Sequence, residues 1–180
     1  MLLGDGMKNI SLYIPNVEDL WFREECLSDP KTMEYNAGLD VKYNGYHYDT
    51  GCIDFPKQMH ESWYNKKMSN PNFYYAYIKD LDLDEFIGEV NFNKDDTTLK
   101  ASMGIVINSK YRGKGYMRDS MSLLIKEAKN KGVKVLTDAV PISRESALKV
   151  FKDLGFIVVN SYQDKKFDKE EIVCEIEKNL

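Results

Sequence analysis

Cysteine and histidine are scarce in this chain of 180 residues, with three Cys and two His. Cys26, Cys52 and Cys174 are scattered, and neither a Cys-x-x-Cys pair nor a Cys/His ligand spacing occurs. That argues against a disulfide framework and a structural zinc site, and fits a reducing cytoplasm. Long apolar runs are missing too. Nothing approaches the roughly 20 residues that a membrane-spanning helix needs. Residues 1–6 have no basic start and no apolar stretch, so they do not read as a signal peptide. Lys and Arg total 25 against 29 Asp and Glu, a net charge of −4. That balance argues against nucleic-acid binding through a broad basic face. The phosphate loops Gly-x-x-x-x-Gly-Lys-Ser/Thr and Gly-x-Gly-x-x-Gly are both absent. Repeats and low-complexity linkers are absent as well. What is present, 43% hydrophobic and 30% charged residues, reads as one soluble domain over residues 1–180, with 1–7 as a flexible tail.

Periodicity divides the chain. Residues 9–14 alternate and predict a strand, which Pro15-Asn16 ends. Residues 17–27 have helical spacing, with Val17, Leu20, Trp21 and Leu27 as the apolar face. Residues 29–50, rich in Tyr, Gly and Asp, resist assignment. A helix follows from Phe55-Pro56 to about Met68, and Asn70-Pro71 stops it. Residues 73–79, 86–93 and 99–108 predict three strands joined by short polar turns, an antiparallel meander. Residues 115–130 predict a helix ended by Gly132 as a left-handed cap. Residues 133–140 predict a strand, and about 144–154 a helix with Ser143 as N-cap and Gly155 as its stop. Residues 156–162 and 171–178 close the pattern as two strands. The sum is a mixed α/β (α+β) sheet of six or seven strands with about four helices.

One segment carries chemistry. Residues 105–117 read Ile-Val-Ile-Asn-Ser-Lys-Tyr-Arg-Gly-Lys-Gly-Tyr-Met, a strand that turns on two glycines into a helix. A helix start leaves backbone N–H groups without internal partners, and its dipole adds positive potential. Gly113 and Gly115 permit close approach and positive φ, while Arg112 and Lys114 add charge. These features predict a phosphate or pyrophosphate site. The plain alternative is a basic turn that merely joins strand to helix.

The run from Arg112 to Met117 resembles the Arg/Gln-x-x-Gly-x-Gly/Ala signature of the GNAT family of N-acetyltransferases. The order of elements matches that family's fold, and recognisable motifs extend over residues 86–156. Met117 departs from the signature, standing where Gly or Ala is usual. The chain also resembles, faintly, the ribosomal-protein acetyltransferase branch. The resemblance implies acetyl-CoA as co-substrate, no metal, a splayed cleft and a coenzyme core at residues 99–156. The amides of Arg112, Gly113, Lys114, Gly115, Tyr116 and Met117 would cradle the pyrophosphate. Ile105, Val106 and Ile107 would line the pantetheine arm, Ile105 and Ile107 pairing with it through their main chains. The Ile105 N–H would polarise the thioester carbonyl, and Arg144 would meet the coenzyme.

Acetyl transfer needs a neutral amine, and an alkylamine with a pKa near 10.4 is neutral in only about one molecule in 10³ at pH 7. A base must therefore take a proton. The candidates are Glu89, before the coenzyme strand, and Asp138, after it, since both interrupt apolar strands. The plain alternatives are a solvent-facing Glu89 and a capping role for Asp138. Neither His47 nor His60 has a better claim. Where the family places a thiol-protonating tyrosine the chain has Phe151, and where an Asn is common it has Arg144. Those departures keep alive a non-catalytic coenzyme A-binding module. Residues 29–72 would shape the acceptor side, and over residues 33–77 Tyr35, Trp63, Tyr75 and other aromatics interleave with Asp40, Asp49, Asp54 and Glu61. Such faces suit a cationic amine, although a core with solvated acids explains most of them equally well. The acceptor is expected to be a small-molecule amine or a protein N-terminus. A homodimer through the last strands is compatible with the sequence, but nothing in the sequence requires one.

Overall fold

A computed structural model describes residues 6–180, so residues 1–5 of the expected tail lie outside the description. The strands are β1 (Ile10–Tyr13), β2 (Phe73–Asp80), β3 (Glu85–Lys94), β4 (Lys100–Ile107), β5 (Val135–Pro141), β6 (Ile157–Lys166) and β7 (Lys169–Asn179). The helices are α1 (Trp21–Ser28), α2 (Pro30–Met33), α3 (His60–Met68), α4 (Tyr116–Asn130) and α5 (Glu145–Asp153). One seven-stranded sheet runs in the order β1-β2-β3-β4-β5-β7-β6. β2 to β4 form the expected antiparallel meander, β1 adds to it antiparallel to β2, and β4 pairs parallel with β5. Among the described residues, no helix is long and apolar enough to cross a membrane.

The feature that matters for function is where β4 and β5 part. Their pairing covers only Lys100 to Ser102 against Val135 to Thr137. β4 stays zipped to β3 up to Ile107, while β5 turns away to pair with β7 along its whole length. The Asn108 N–H donates to Ile87 O on β3, at 3.0 Å. Peptide groups alternate along a strand, so those of Ile105 and Ile107 point away from β3, into the gap.

Helix α4 closes one face. Met121, Leu124 and Ala128 are fully buried on it, against Ile78, Ile87, Val90 and Leu136 of the sheet. On the opposite face, Phe22 and Cys26 of α1 pack on Tyr75 and Tyr77. Three expectations need correction. Val17–Leu20 is a 3₁₀ turn that precedes α1, and Trp21 is 52% exposed while Phe22 and Cys26 take the inside. Single-helix spacing fails there because the 3₁₀ turn changes the angular register. Ser143 does not cap α5. Arg144 holds that position without a side-chain cap, and the Ser143 hydroxyl donates to Glu171 on β7. The last two strands are longer than the alternation suggests, because Phe167-Asp168, both at positive φ, form a two-residue hairpin turn. Gly132 and Gly155 adopt the expected left-handed caps, at φ 76° and 85°.

Candidate active site

The turn after β4 is held open by its own glycines and by one arginine. Gly113 and Gly115 have φ of 73° and 86°, and Gly115 is the N-cap of α4. A side chain at either position would be strained by the backbone alone. Arg112 does not present its charge to a ligand. Its guanidinium donates to the carbonyls of Lys31 at 2.8 Å, Thr32 at 2.5 Å and Ile107 at 3.2 Å, and pairs with Glu34 at 2.7 Å. Its amide also contacts Ser109 O, at 3.4 Å. The residue therefore fastens the turn to α2 instead of supplying charge or a free amide. Among the described residues, the amides of Gly113, Lys114, Gly115, Tyr116 and Met117 donate to no acceptor. Five N–H groups without an acceptor thus lie at or just before the positive end of a fifteen-residue helix.

A cavity of about 650 Å³ opens from this turn into the β4–β5 gap. Ile105, Val106, Ile107, Arg112, Gly113, Gly115, Tyr116, Met117 and Arg144 all line it, with Ala147 and Val150 of α5. Lys114 lines neither this cavity nor its neighbour, and its Nζ lies 5.3 Å over the Tyr111 ring. Phe151 is absent from both linings. It is 3% exposed and packs edge-on to Phe156 in the core.

A second cavity, of about 510 Å³, lies between the outer part of β4–β5, helices α1 and α3, and the residues after α2. Four residues line both cavities: Tyr35, Ile105, Val106 and Arg144. The two spaces therefore meet where the strands separate. The Arg144 guanidinium stacks on the Tyr35 ring, 5.2 Å from its centroid. Burial first, and then Glu89, push the Tyr35 phenol up to about 12. It is a proton donor at neutral pH.

Both candidate bases line the second cavity, in different states. Glu89 is 4% exposed, so it is not solvent-facing. It accepts from Arg23 Nη1 at 2.5 Å and from the Tyr75 hydroxyl at 2.5 Å. Burial and the Glu89 charge raise the Tyr75 hydroxyl well above its ordinary value. Burial works most strongly against the charge on Arg23, but Glu89 and Tyr75 together outweigh it and raise the guanidinium pKa. Asp138 is the first β5 residue beyond the split. Burial raises its carboxyl to about 6, against partial relief from the Ala139 N–H at 2.8 Å and the Arg144 charge. The two histidines stand elsewhere. His47 pairs with Asp54 on the surface, and His60 is buried against Phe55 and Glu24.

Sequence reasoning assigned no role to Arg23 and named Tyr35 and Tyr75 only among the acceptor-side aromatics. Arg23 sits on α1 and reaches Glu89 across 66 positions, a separation that no local spacing announces. The interleaved acids Asp40, Asp49, Asp54 and Glu61 do not line the acceptor-side cavity. Its carboxylates are Glu89, Asp138, Asp164 and Glu171.

Residues 15–157 match the family model described as acetyltransferase (GNAT) domain. A search of curated protein sequences finds no match. Among solved structures, spermidine N-acetyltransferase from Vibrio cholerae in complex with CoA and spermine is similar, with 16% identity, 95% of each chain covered and a TM-score of 0.78. A candidate acetyltransferase from Salmonella typhimurium with its cofactor acetyl-CoA aligns at 16% identity over 96% of this chain and 94% of that one, TM-score 0.71. A third, from Acinetobacter baylyi, aligns at 18% identity over 97% and 94%, TM-score 0.73. A family model that spans most of the chain, with this fold, shows that the protein belongs to the GNAT family and is an acetyl-CoA-dependent N-acetyltransferase.

Proposed function

We propose that the protein transfers the acetyl group of acetyl-CoA directly to a primary amine of a small molecule, with both substrates bound at once. The observation that carries this reading is the meeting of two cavities at Tyr35, Ile105, Val106 and Arg144. One cavity suits the coenzyme, because the unpartnered amides of residues 113–117 offer a pyrophosphate hydrogen bonds that the fold leaves unmade. The splayed peptide groups of Ile105 and Ile107 offer the pantetheine arm a strand edge. The other cavity has room for an acceptor that reaches the same point. Bound acetyl-CoA supplies the thioester, and the protein supplies position, a base and donors.

Of the two carboxylates, Asp138 is the proton acceptor in this reading. Glu89 already holds two strong donors, and a carboxylate so engaged is a poor base. Among the described residues Asp138 has no side-chain partner, and burial pushes its carboxyl up to about 6, near the working pH where general bases act best. Tyr35, which lines both cavities, takes the place of the family tyrosine where this chain has Phe151. The similar protein from Vibrio cholerae, named for spermidine, supports an amine acceptor but does not define this one. The test is thiol release from acetyl-CoA by purified protein across a panel of amines, amino acids and peptides. No transfer to any small amine, with coenzyme bound, would overturn the reading. Transfer only to a peptide N-terminus would redirect it to protein acetylation.

A further inference from the structure

The acceptor-side cavity borders on the parts of a cation seat: the rings of Trp63 and Tyr75 and the buried carboxylate of Glu89, which line it, and the ring of Phe55, which does not. That seat is already filled. The Arg23 guanidinium carbon lies 4.6 Å from the Trp63 centroid and 5.4 Å from those of Phe55 and Tyr75. Its Nη1 holds Glu89 at 2.5 Å. Its Nε is buried with no hydrogen-bond partner among the described residues, so the neighbouring rings cover that side of the group. Aromatic faces with a carboxylate bind an ammonium or guanidinium through quadrupole and charge. Here α1 supplies that cation from within the protein.

We propose that Arg23 is an internal occupant of this seat and makes the enzyme select acceptors with one positive charge over dications and polycations. This rests on the reading of the cavity as the acceptor site. The charges around it agree. Among the described residues its cationic ones are Arg23, Lys67, Arg144 and Lys165, and its acidic ones Glu89, Asp138, Asp164 and Glu171, four of each. Glu89 is taken by Arg23. Asp164 lies on the exposed β6, and Glu171 accepts the Ser143 hydroxyl near the rim. Solvent-exposed carboxylates hold a cation weakly. Asp138 remains for the reacting amine, so a second ammonium reaching inward finds Arg23 where it would need a counter-ion.

Hexylamine and 1,6-diaminohexane differ by one ammonium group and make the test. Affinity is read by calorimetry on the complex with CoA, and kcat/KM by thiol release. Wild type should favour hexylamine in both by roughly tenfold. Arg23→Ala should move the ratio toward the diamine by about tenfold, and methylguanidinium should raise the melting temperature of Arg23→Ala but not of wild type. Arg23→Lys, which keeps the charge and is the safer variant to fold, should keep the monoamine preference. Equal wild-type affinity for the two amines overturns the proposal, whatever the variants do. So does an unchanged ratio in an Arg23→Ala protein that still binds CoA. If no amine is acetylated, the acceptor reading fails on turnover, and the affinity ratio still decides the role of Arg23.

Discussion

The side of the cleft proposed for the coenzyme and the side proposed for the acceptor are built by different means. The first is built chiefly on one stretch of main chain, residues 105–117, with amides unpartnered among the described residues and two positive-φ glycines, and α5 closes it. Even its arginine acts on backbone, clamping three carbonyls. The acceptor side is assembled from side chains of α1, α3, β2, β3, β5 and the residues after α2, brought together across the chain. A backbone site tolerates change in most of its side chains, since each amide remains whatever residue carries it. A side-chain site is tunable residue by residue.

The comparison breaks first at Gly115. Gly115→Asp sets a carboxylate against the proposed pyrophosphate position, and Asp tolerates the left-handed backbone better than most residues. Acetyl-CoA affinity measured by calorimetry should fall by roughly 100-fold or more, with the fold retained. Normal affinity would remove the coenzyme from this turn.

On the acceptor side, Asp138→Asn should lower kcat by about 10²- to 10⁴-fold. The wild-type rate should rise with pH through about 6, as the carboxyl loses its proton. Stability should move the other way. The folded group keeps its proton to about 6, against 3.8 for the ordinary group. Burial thus lowers stability as pH rises through that window, and the penalty is complete above it. At pH 8 the Asn variant should be more stable, on the order of 2 kcal/mol by denaturant unfolding. A variant both inactive and destabilised would make Asp138 structural.

Glu89→Gln separates the two carboxylates. It leaves a buried guanidinium without its counter-charge, at a cost of about 3 kcal/mol in unfolding free energy. Its kcat in the folded fraction should fall far less than that of Asp138→Asn. The reverse order of kcat losses would exchange the two assignments. The smallest effect belongs to Tyr35→Phe, roughly tenfold in kcat with KM for acetyl-CoA little changed. A loss confined to KM would make Tyr35 only a platform for Arg144.

Much of this molecule is readable without coordinates, and the limits have physical causes. The meander, the two crossover helices and their glycine caps follow from spacing, because each depends on neighbours within a few residues. Residues 29–50 were illegible because their order comes from distant partners, such as Arg112 on the carbonyls of Lys31 and Thr32. The same reason hid the acceptor side. Glu89 invited a solvent-facing alternative because nothing near it in the chain reveals the Arg23 and Tyr75 that neutralise it.

The order of residues alone determined the phosphate-type turn. A strand, two glycines and a helix make a row of free amides wherever they occur, since the requirement is local backbone geometry. Only the tertiary structure decided how the acceptor side is charged. Packing α1 over β2 and β3 drove Arg23 among Phe55, Trp63 and Tyr75 and onto Glu89. A cavity whose aromatics and acids suggest an open cation seat is thereby already neutralised. Electrostatics acts through space, and the chain gives no distance between residues 23 and 89 until it is folded.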